Sequence, residues 1–271
     1  CMPSVPVSVT VSEDGSLVFW GDYAGTLYRW SEDGGTQKFP VCESALRVVR
    51  LVAGDAAVAV VPGGGDEVRY YDSASMELAA SVPIGLEQVM AGGGRGDDAF
   101  LVIGDHSGTA RWVEWEGNRT STSEWEADTE GITGMVFWGG EKENIATWGH
   151  SGKLRLWGDK GREYLGYRDL EGMQISSWSV EKTGSALWLG TKEGGLYRLS
   201  LTMNEGPEAV GTVGSGSVVA IGRGPDSGRE LMTASGARWR ISETGLELIT
   251  EPFWSGQAVR GSLRMRSGEI A

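Results

Sequence analysis

Residues 134–157 read GMVFWGGEKENIATWGHSGKLRLW, and this stretch decides the fold. It holds three short apolar runs, GMVFW, NIATW and KLRLW, which polar connections separate. The run KLRLW alternates apolar and basic residues with a period of two, which predicts a β-strand rather than a helix. The tight turn GHSG at 149–152 predicts that the second and third runs pair as antiparallel strands.

The last part of this stretch recurs along the chain as a short strand that ends on a large apolar residue. The six copies are GTLYRW to Trp30, DEVRYY to Tyr71, GTARWV to Val113, GKLRLW to Trp157, GGLYRL to Leu199 and GARWRI to Ile241. Successive copies end 41 to 44 residues apart. So regular a period over most of the chain predicts a β-propeller, in which each copy belongs to one four-stranded blade.

We therefore predict an all-β fold: a β-propeller of four-stranded antiparallel blades, with six complete blades and a truncated seventh. We expect a single domain over residues 1–271, with blades at about 6–41, 45–82, 86–125, 132–170, 173–210 and 213–249 and a partial blade at 250–271. The partial blade is expected because the tail resembles the start of another unit, whose third strand would end beyond the last residue. The alternative is a six-bladed ring with a C-terminal appendage.

Composition restricts the partners. The 43 glycines suit a chain that reverses direction often, and the 12 tryptophans suit flat packing between sheets. A net charge of −13 repels phosphate groups, so we expect neither nucleic acid nor an anionic membrane surface as a partner. The charge favours a protein or peptide partner, which could be basic, and we do not expect a small-molecule ligand.

Cysteine usage and the termini bear on location. The two cysteines, Cys1 and Cys42, make neither a disulfide framework nor a metal-binding spacing, which favours a reducing compartment. The sequence contains no apolar run of about 18 residues and no signal-peptide core. We therefore expect an intracellular, cytoplasmic location. Because the chain opens with Cys1 rather than Met, we also expect it to be a fragment of a larger protein.

Residues 144–157 resemble the WD-repeat propellers, with small residues ending the second strand, a glycine-containing turn and a third strand ending in Trp. The repeats are degenerate: the terminal Trp is present only at Trp30 and Trp157, and the Asp that should follow it appears only at Asp72. The family's internal hydrogen-bond network of Asp, His, Ser/Thr and Trp is not expected to assemble, so aromatic packing should supply the rigidity. The resemblance implies a protein-interaction scaffold. Quinoprotein-like and sialidase-like propellers are the alternatives.

The two histidines are the first candidates for chemistry. His106 and His150 occupy equivalent turns, each followed by Ser-Gly. They could lie on one rim and bind a metal or a partner's carboxylate, or each could replace Asp and cap its turn. We expect capping, since adjacent blades would separate the histidines beyond metal-ligand bond lengths.

No Ser/His/Asp or Cys/His set occurs at motif spacing, so we predict no catalytic residues, no metal site, no cofactor and no enzyme activity. The alternative function is a propeller enzyme, glycosidase- or quinoprotein-like, with an acidic site in the central channel. A third possibility is an architectural stack of blades without a dedicated site.

The predicted function is that of a non-catalytic scaffold, which binds a peptide or protein on the loop-rich face of the propeller. Exposed aromatic residues and arginines carry interface energy, so the candidates are those expected on turns and blade links. They are Tyr23, Arg47, His106, Trp125, Trp148, His150, Arg168, Lys192 and Trp254. For Trp125, Trp148 and Trp254 the alternative is packing in the core or between blades.

Overall fold

A computed structural model of the chain gives the positions of most of its residues. The described residues are 6–12, 14–64, 66–86, 89–94, 100–116, 119–138, 144–170, 172–181, 183–202, 205–214, 216–223, 228–242 and 245–250.

The described residues form 24 strands and one short 3₁₀ turn, Asp159–Gly161. We number the sheets one to six along the chain. Sheets one to three comprise β1 Pro6–Val11, β2 Leu17–Asp22, β3 Thr26–Ser31, β4 Gly35–Pro40, β5 Leu46–Val52, β6 Ala57–Pro62, β7 Glu67–Asp72, β8 Leu78–Pro83, β9 Val89–Gly94, β10 Phe100–Asp105, β11 Thr109–Glu116 and β12 Arg119–Glu126. Sheets four to six comprise β13 Ile132–Trp138, β14 Asn144–Gly149, β15 Lys153–Gly158, β16 Glu163–Asp169, β17 Ile175–Val180, β18 Ala186–Thr191, β19 Gly195–Ser200, β20 Glu208–Thr212, β21 Val218–Arg223, β22 Arg229–Thr233, β23 Arg238–Ser242 and β24 Gly245–Thr250.

Each sheet is an antiparallel meander of four strands that are neighbours in both sequence and space. The six repeated segments all form the third strand of their sheet, so the predicted all-β fold of four-stranded blades is confirmed. The predicted partial blade at 250–271 lies outside the described residues, apart from Thr250, the last residue of β24. Among the described residues, no helix is long and apolar enough to span a bilayer.

By packing, the chain divides into two compact units. The first comprises Cys1–Phe137 and Glu143–Tyr167, and the second comprises Trp138–Lys142 and Arg168–Ala271. The organisation of the whole chain as one domain stays a prediction.

In the first unit, the core lies between the faces of successive sheets. All six residues of β6 are buried, as are all six of β10. A strand that is covered on both faces needs apolar residues at every position, which explains the continuous run AVAVVP where alternation would otherwise be expected. Valines of β6 contribute to two clusters, one shared with Phe19 of sheet one and one shared with Leu101 of sheet three.

Aromatic packing and one buried hydrogen bond stabilise sheets three and four. The rings of Phe100 and Trp112 stack with their centroids 4.0 Å apart. The indole nitrogen of Trp157 donates a 2.9 Å hydrogen bond to Oγ1 of Thr147, which donates in turn to a backbone carbonyl. The complete WD-repeat hydrogen-bond network of Asp, His, Ser/Thr and Trp was not expected to assemble, and sheet four has the Trp–Thr pair of that network.

The second unit has a core of leucines and valines between sheets five and six, among them Leu196, Val218 and Leu231. A polar cluster lies at the turn between β17 and β18. There the Glu181 carboxylate accepts hydrogen bonds from Trp188 Nε1 (3.1 Å) and from Nε and Nη2 of Arg198 (2.7 and 3.1 Å). Hydrogen bonding from Arg198 lowers the pKa of Glu181 below its ordinary value.

Backbone hydrogen bonds tie the sheets together at one edge. We call the turn between the second and third strands of a sheet its second turn, and the segment that joins one sheet to the next a link. In four sheets the N–H that follows the second strand donates to the link before the sheet: Gly63 to Ala45, His150 to Gly131, Lys192 to Gln174 and Ala234 to Ser217. In four sheets a carbonyl at the start of the third strand accepts from the link after the sheet: Gly25 from Val41 and Cys42, Asp66 from Ile84 and Gly85, Gly108 from Ala127 and Asp128, and Gly194 from Val213. The second turns of sheets two and five are thus held by the links on both sides, and the described bonds hold each of the other four turns through one link.

Glycine allows this close approach. A Cβ at Gly25 would lie 2.1 Å from the carbonyl oxygen of Cys42 in the following link, and one at Gly108 would lie 2.1 Å from that of Asp128. Gly25 also has a φ of +78°, a backbone conformation that residues other than glycine adopt only at a cost in free energy. In sheets one and three the link therefore packs this closely on the turn because the position has no side chain.

We predict that Gly25→Ala destabilises the fold by about 2 kcal/mol more than Gly15→Ala. Both glycines have a φ of +78°, but nothing lies within 4 Å of a Cβ at Gly15. The two variants share the backbone strain, so the difference measures the displaced link and its two hydrogen bonds, each worth about 1 kcal/mol. Urea unfolding followed by circular dichroism gives both values, and equal losses would contradict the role assigned to the link.

We predict that Glu181→Gln lowers the free energy of unfolding at pH 7 by about 1 kcal/mol or less, because the ion pair is partly exposed. The pKa of Glu181 is depressed in the folded state, so its stabilisation is present above the ordinary carboxyl pKa and is lost as the pH falls through the folded value. The difference between wild type and variant should therefore shrink between pH 6 and about pH 3. Urea titrations at several pH values test this. Glu205→Gln, at an exposed residue outside the cluster, is the control and should show no such trend.

Candidate functional site

Four of the predicted site residues lie on second turns with exposed side chains. Tyr23 follows β2, and 55% of its surface is accessible to solvent. His106, His150 and Lys192 occupy the equivalent position after β10, β14 and β18, and all three are exposed. The backbone under each is hydrogen-bonded, so these side chains project from ordered turns.

Two tryptophans are not where a surface site would need them. Trp148 is the penultimate residue of β14 and only 2% exposed, and a Cβ at Gly134 would lie 2.3 Å from its ring. Trp125 is half-buried in β12, with its ring centroid 6.2 Å from that of Trp157. The predicted placement of Trp125 on a link and of Trp148 on an exposed turn is wrong, because β12 and β14 extend to these residues and their rings pack inward.

Two arginines also lie in strands rather than in links. Arg47 is the second residue of β5 and half-buried, and a Cβ at Gly63 in the second turn of the same sheet would lie 3.4 Å from its Cγ. Arg168 is half-buried in β16. Trp254 lies outside the described residues. The role of each predicted residue in binding stays a prediction.

Aspartates, and not the histidines, cap the second turns. Oδ1 of Asp105 accepts hydrogen bonds from the backbone N–H groups of Ser107 and Thr109, and Oδ1 of Asp22 does the same for Ala24 and Thr26. The expectation that His106 caps its turn is wrong, because Asp105, one residue earlier, already satisfies these donors. Its imidazole is left at the surface.

In sheet four an aspartate of the preceding link replaces the missing cap. The Asp128 side chain is fully buried, and its Oδ2 accepts from Ser151 Oγ (2.9 Å) and from Arg155 Nη1 (2.6 Å). Its Oδ1 accepts from two backbone N–H groups of the link. His150 therefore does not cap its turn either. Asp128 was not predicted from the sequence, since no motif marks an acidic residue in a link.

The link 127–131 brings the two histidine turns next to each other. Its Asp128 N–H donates to Gly108 beyond His106, and its Gly131 carbonyl accepts from the His150 N–H at 3.3 Å. Among the described residues, no group of three or more His, Cys, Asp or Glu side chains is placed to hold a metal ion. The ordered turns of the first unit instead expose the Tyr23 ring and the imidazoles of His106 and His150, which a partner could contact.

Comparison with known proteins agrees with this architecture. No protein-family model matches the sequence, and no curated protein matches it. Many solved chains are similar in structure. One is the crystal structure of the RRP9 WD40 repeats, with a TM-score of 0.74 over 100% of this chain and 87% of that chain, at 12% identity. At this identity the likeness concerns the fold alone. The chain has a WD40-like β-propeller fold.

We predict that Asp128→Asn destabilises the protein by about 2 kcal/mol, because it leaves the Arg155 guanidinium, 14% exposed, without its buried counter-charge. Glu130→Gln, an exposed change in the same link, should cost less than about 0.5 kcal/mol. Thermal and urea unfolding measure both. A similar small loss for the two variants would show that the buried pair contributes little.

Proposed function

We propose that the chain is a non-catalytic protein-interaction scaffold, which binds a peptide or protein through the side chains on its second turns. The observation that carries the proposal is the exposure of Tyr23 on an ordered turn. The Asp22 carboxylate caps this turn, and its Gly25 carbonyl accepts two hydrogen bonds from the following link. An aromatic ring presented by an ordered turn loses little conformational entropy on binding, and such rings are frequent among the residues that dominate interface energies.

The proposed contact surface of the first unit comprises Tyr23, His106 and His150, with Arg47 beside its own second turn. Lys192 provides a contact in the second unit. Arg168 and Trp254 stay predicted contacts. Trp125 and Trp148 are predicted contacts that we leave out of this surface, since their rings pack inward.

The charge of the chain favours a basic partner. Its net charge of −13 and pI of about 4.7 attract cationic polypeptides and speed their encounter. A propeller fold is compatible with this role but does not determine it, because one fold carries many functions. The fold likeness to WD40 repeats adds support to a scaffold role in general.

The test uses photo-crosslinking to identify a partner and affinity measurements to assign the surface. A benzophenone amino acid placed at position 23 should capture a partner from extract of the source cells, and the same group at position 164 should not. The captured protein, once purified, should bind Tyr23→Ala at least about tenfold more weakly than wild type, as expected for the loss of an aromatic anchor.

Tyr164→Ala is the matched control, because Tyr164 is 53% exposed but lies on the outer strand β16. It should leave the affinity unchanged. Equal effects of the two alanine variants, or none from Tyr23→Ala, would mean that the partner binds elsewhere. Calorimetry of each purified variant provides the dissociation constants.

A further inference from the structure

The fourth residue of the repeated third-strand segment carries a cation in three copies. Copies two, three and four have arginine there, and each arginine forms an ion pair within the first unit. The pairs are Arg69–Glu67, Arg111–Glu124 and Arg155–Asp128. Copies one and five have tyrosine, and copy six has tryptophan.

In copy one the tyrosine also has a cation of the chain beside it. Lys38 is the register partner of Tyr28 on the neighbouring strand, and its Nζ lies 5.5 Å from the centre of the ring. The Tyr28 hydroxyl donates a 3.0 Å hydrogen bond to Asp22. A cation therefore lies at this place in each of the first four copies, either on the strand itself or opposite it.

Copy five differs. The register partner of Tyr197 is Ala209, which is too short to reach the ring, and no cation of the described residues lies over it. A groove of about 420 Å³ is open at this place. It is lined among others by Met173, Glu193 and Pro207, in addition to Tyr197 and Ala209.

Gly195 shapes the groove. A Cβ on Gly195 would lie 2.7 Å from the Tyr197 ring, so the ring leans on the backbone of the strand below it. In the other five copies the equivalent residue has a side chain: Thr26, Glu67, Thr109, Lys153 and Ala237. The flat ring thus forms one wall of the groove.

Glu193 supplies the charge. It is exposed, lines the groove, and has no ion-pair or hydrogen-bond partner among the described residues. Lys192, the other charged residue of this turn, does not line the groove. Arg198 follows Tyr197 and points to the other face of the sheet, where it pairs with Glu181.

Glu193 is equivalent in its turn to Ser151 of sheet four. The equivalence follows from the backbone, because the residue before each of them donates its N–H to the preceding link. Oγ of Ser151 lies 3.1 Å from Nη1 of Arg155, so this turn position contacts the arginine in sheet four. In sheet five the turn carries a carboxylate and the arginine is absent.

We propose that the groove of sheet five binds an arginine side chain of a partner polypeptide. The guanidinium would stack on the Tyr197 ring and pair with the Glu193 carboxylate, while Met173 and Pro207 contact its aliphatic stem. Arginine suits the site better than lysine, because a planar guanidinium both stacks on a ring and pairs with a carboxylate. The negative charge of the whole chain favours the same occupant. This inference rests on the proposed function in taking a polypeptide as the ligand.

The probes are three pools of random nonapeptides that differ only at the central residue, which is arginine, its neutral analogue citrulline, or lysine. Binding to the full chain is followed by NMR through the amide resonances of residues 191–197. The arginine pool should bind at least about fivefold more tightly than the citrulline pool, and also more tightly than the lysine pool. Glu193→Gln should remove the preference for arginine over citrulline.

Ala209→Lys provides the decisive variant. It places a lysine opposite Tyr197, as Lys38 lies opposite Tyr28, so it should fill the groove and abolish binding of the arginine pool. Ala209 is exposed on the edge strand β20, and the change should leave the fold intact. Ala79→Lys, at an exposed alanine of the outer strand β8, is the matched control and should bind like wild type.

Equal binding of the arginine and citrulline pools would overturn the proposal, as would unchanged binding by Ala209→Lys. Equal binding of the lysine pool would overturn the choice of arginine. The partner captured at position 23 separates this inference from the proposed function. If it binds Ala209→Lys like wild type but loses affinity for Tyr23→Ala, the groove proposal fails and the turn surface stands. The opposite pattern would retain the groove and reject the turn surface.

Discussion

The structure depends on hydrogen bonds between the second turns of the sheets and the links on either side of them. Each of these hydrogen bonds joins backbone atoms only, so it tolerates wide variation in sequence, provided that the accepting residue leaves room for the link, as Asp66 also does in sheet two. Gly25 and Gly108 meet that condition by having no side chain. This explains how repeats without the usual Trp-Asp ending can still assemble as regular sheets. Such a bond is described for the second turn of each of the six sheets. The same bonds therefore order the turns that carry the exposed side chains.

The repeats share the same backbone arrangement, but different side chains form the hydrogen bonds and ion pairs at equivalent positions. An aspartate at the end of the second strand caps the turns of sheets one and three, whereas Asp128 reaches the turn of sheet four from a link. The fourth residue of the third strand is an arginine with an internal partner in three copies, and a tyrosine over an open groove in copy five. Comparing copies within one chain therefore distinguishes positions at which the side chain has a charged partner in the same chain from the position in copy five, where the groove is open.

Sequence reasoning succeeded where the signal was periodic and local. The 41 to 44 residue spacing and the two-residue alternation predicted six sheets and their third strands, and the turn positions of Tyr23, His106, His150 and Lys192 followed from them. It failed for Trp125 and Trp148, because a tryptophan next to a turn can face either side of its strand. A difference of one residue in strand length changes which side the tryptophan faces, and the sequence marks strand ends poorly. It also failed for Asp128, whose role depends on contact with Ser151 and Arg155, 23 and 27 residues later in the chain.

The sequence by itself determined the class of fold, since hydrophobic period and turn chemistry are local properties that one repeat shows and the others confirm. Only the tertiary structure decided which exposed residues stand on ordered turns, which tryptophans pack inward, and where a charged side chain has no partner among the described residues. The physical reason is that burial and pairing are relations between residues distant in the chain. The pairing of Tyr28 with Lys38, and of Tyr197 with Ala209, shows the difference: the two tyrosines occur in almost the same sequence, GTLYR and GGLYR, and their surroundings differ through the neighbouring strand.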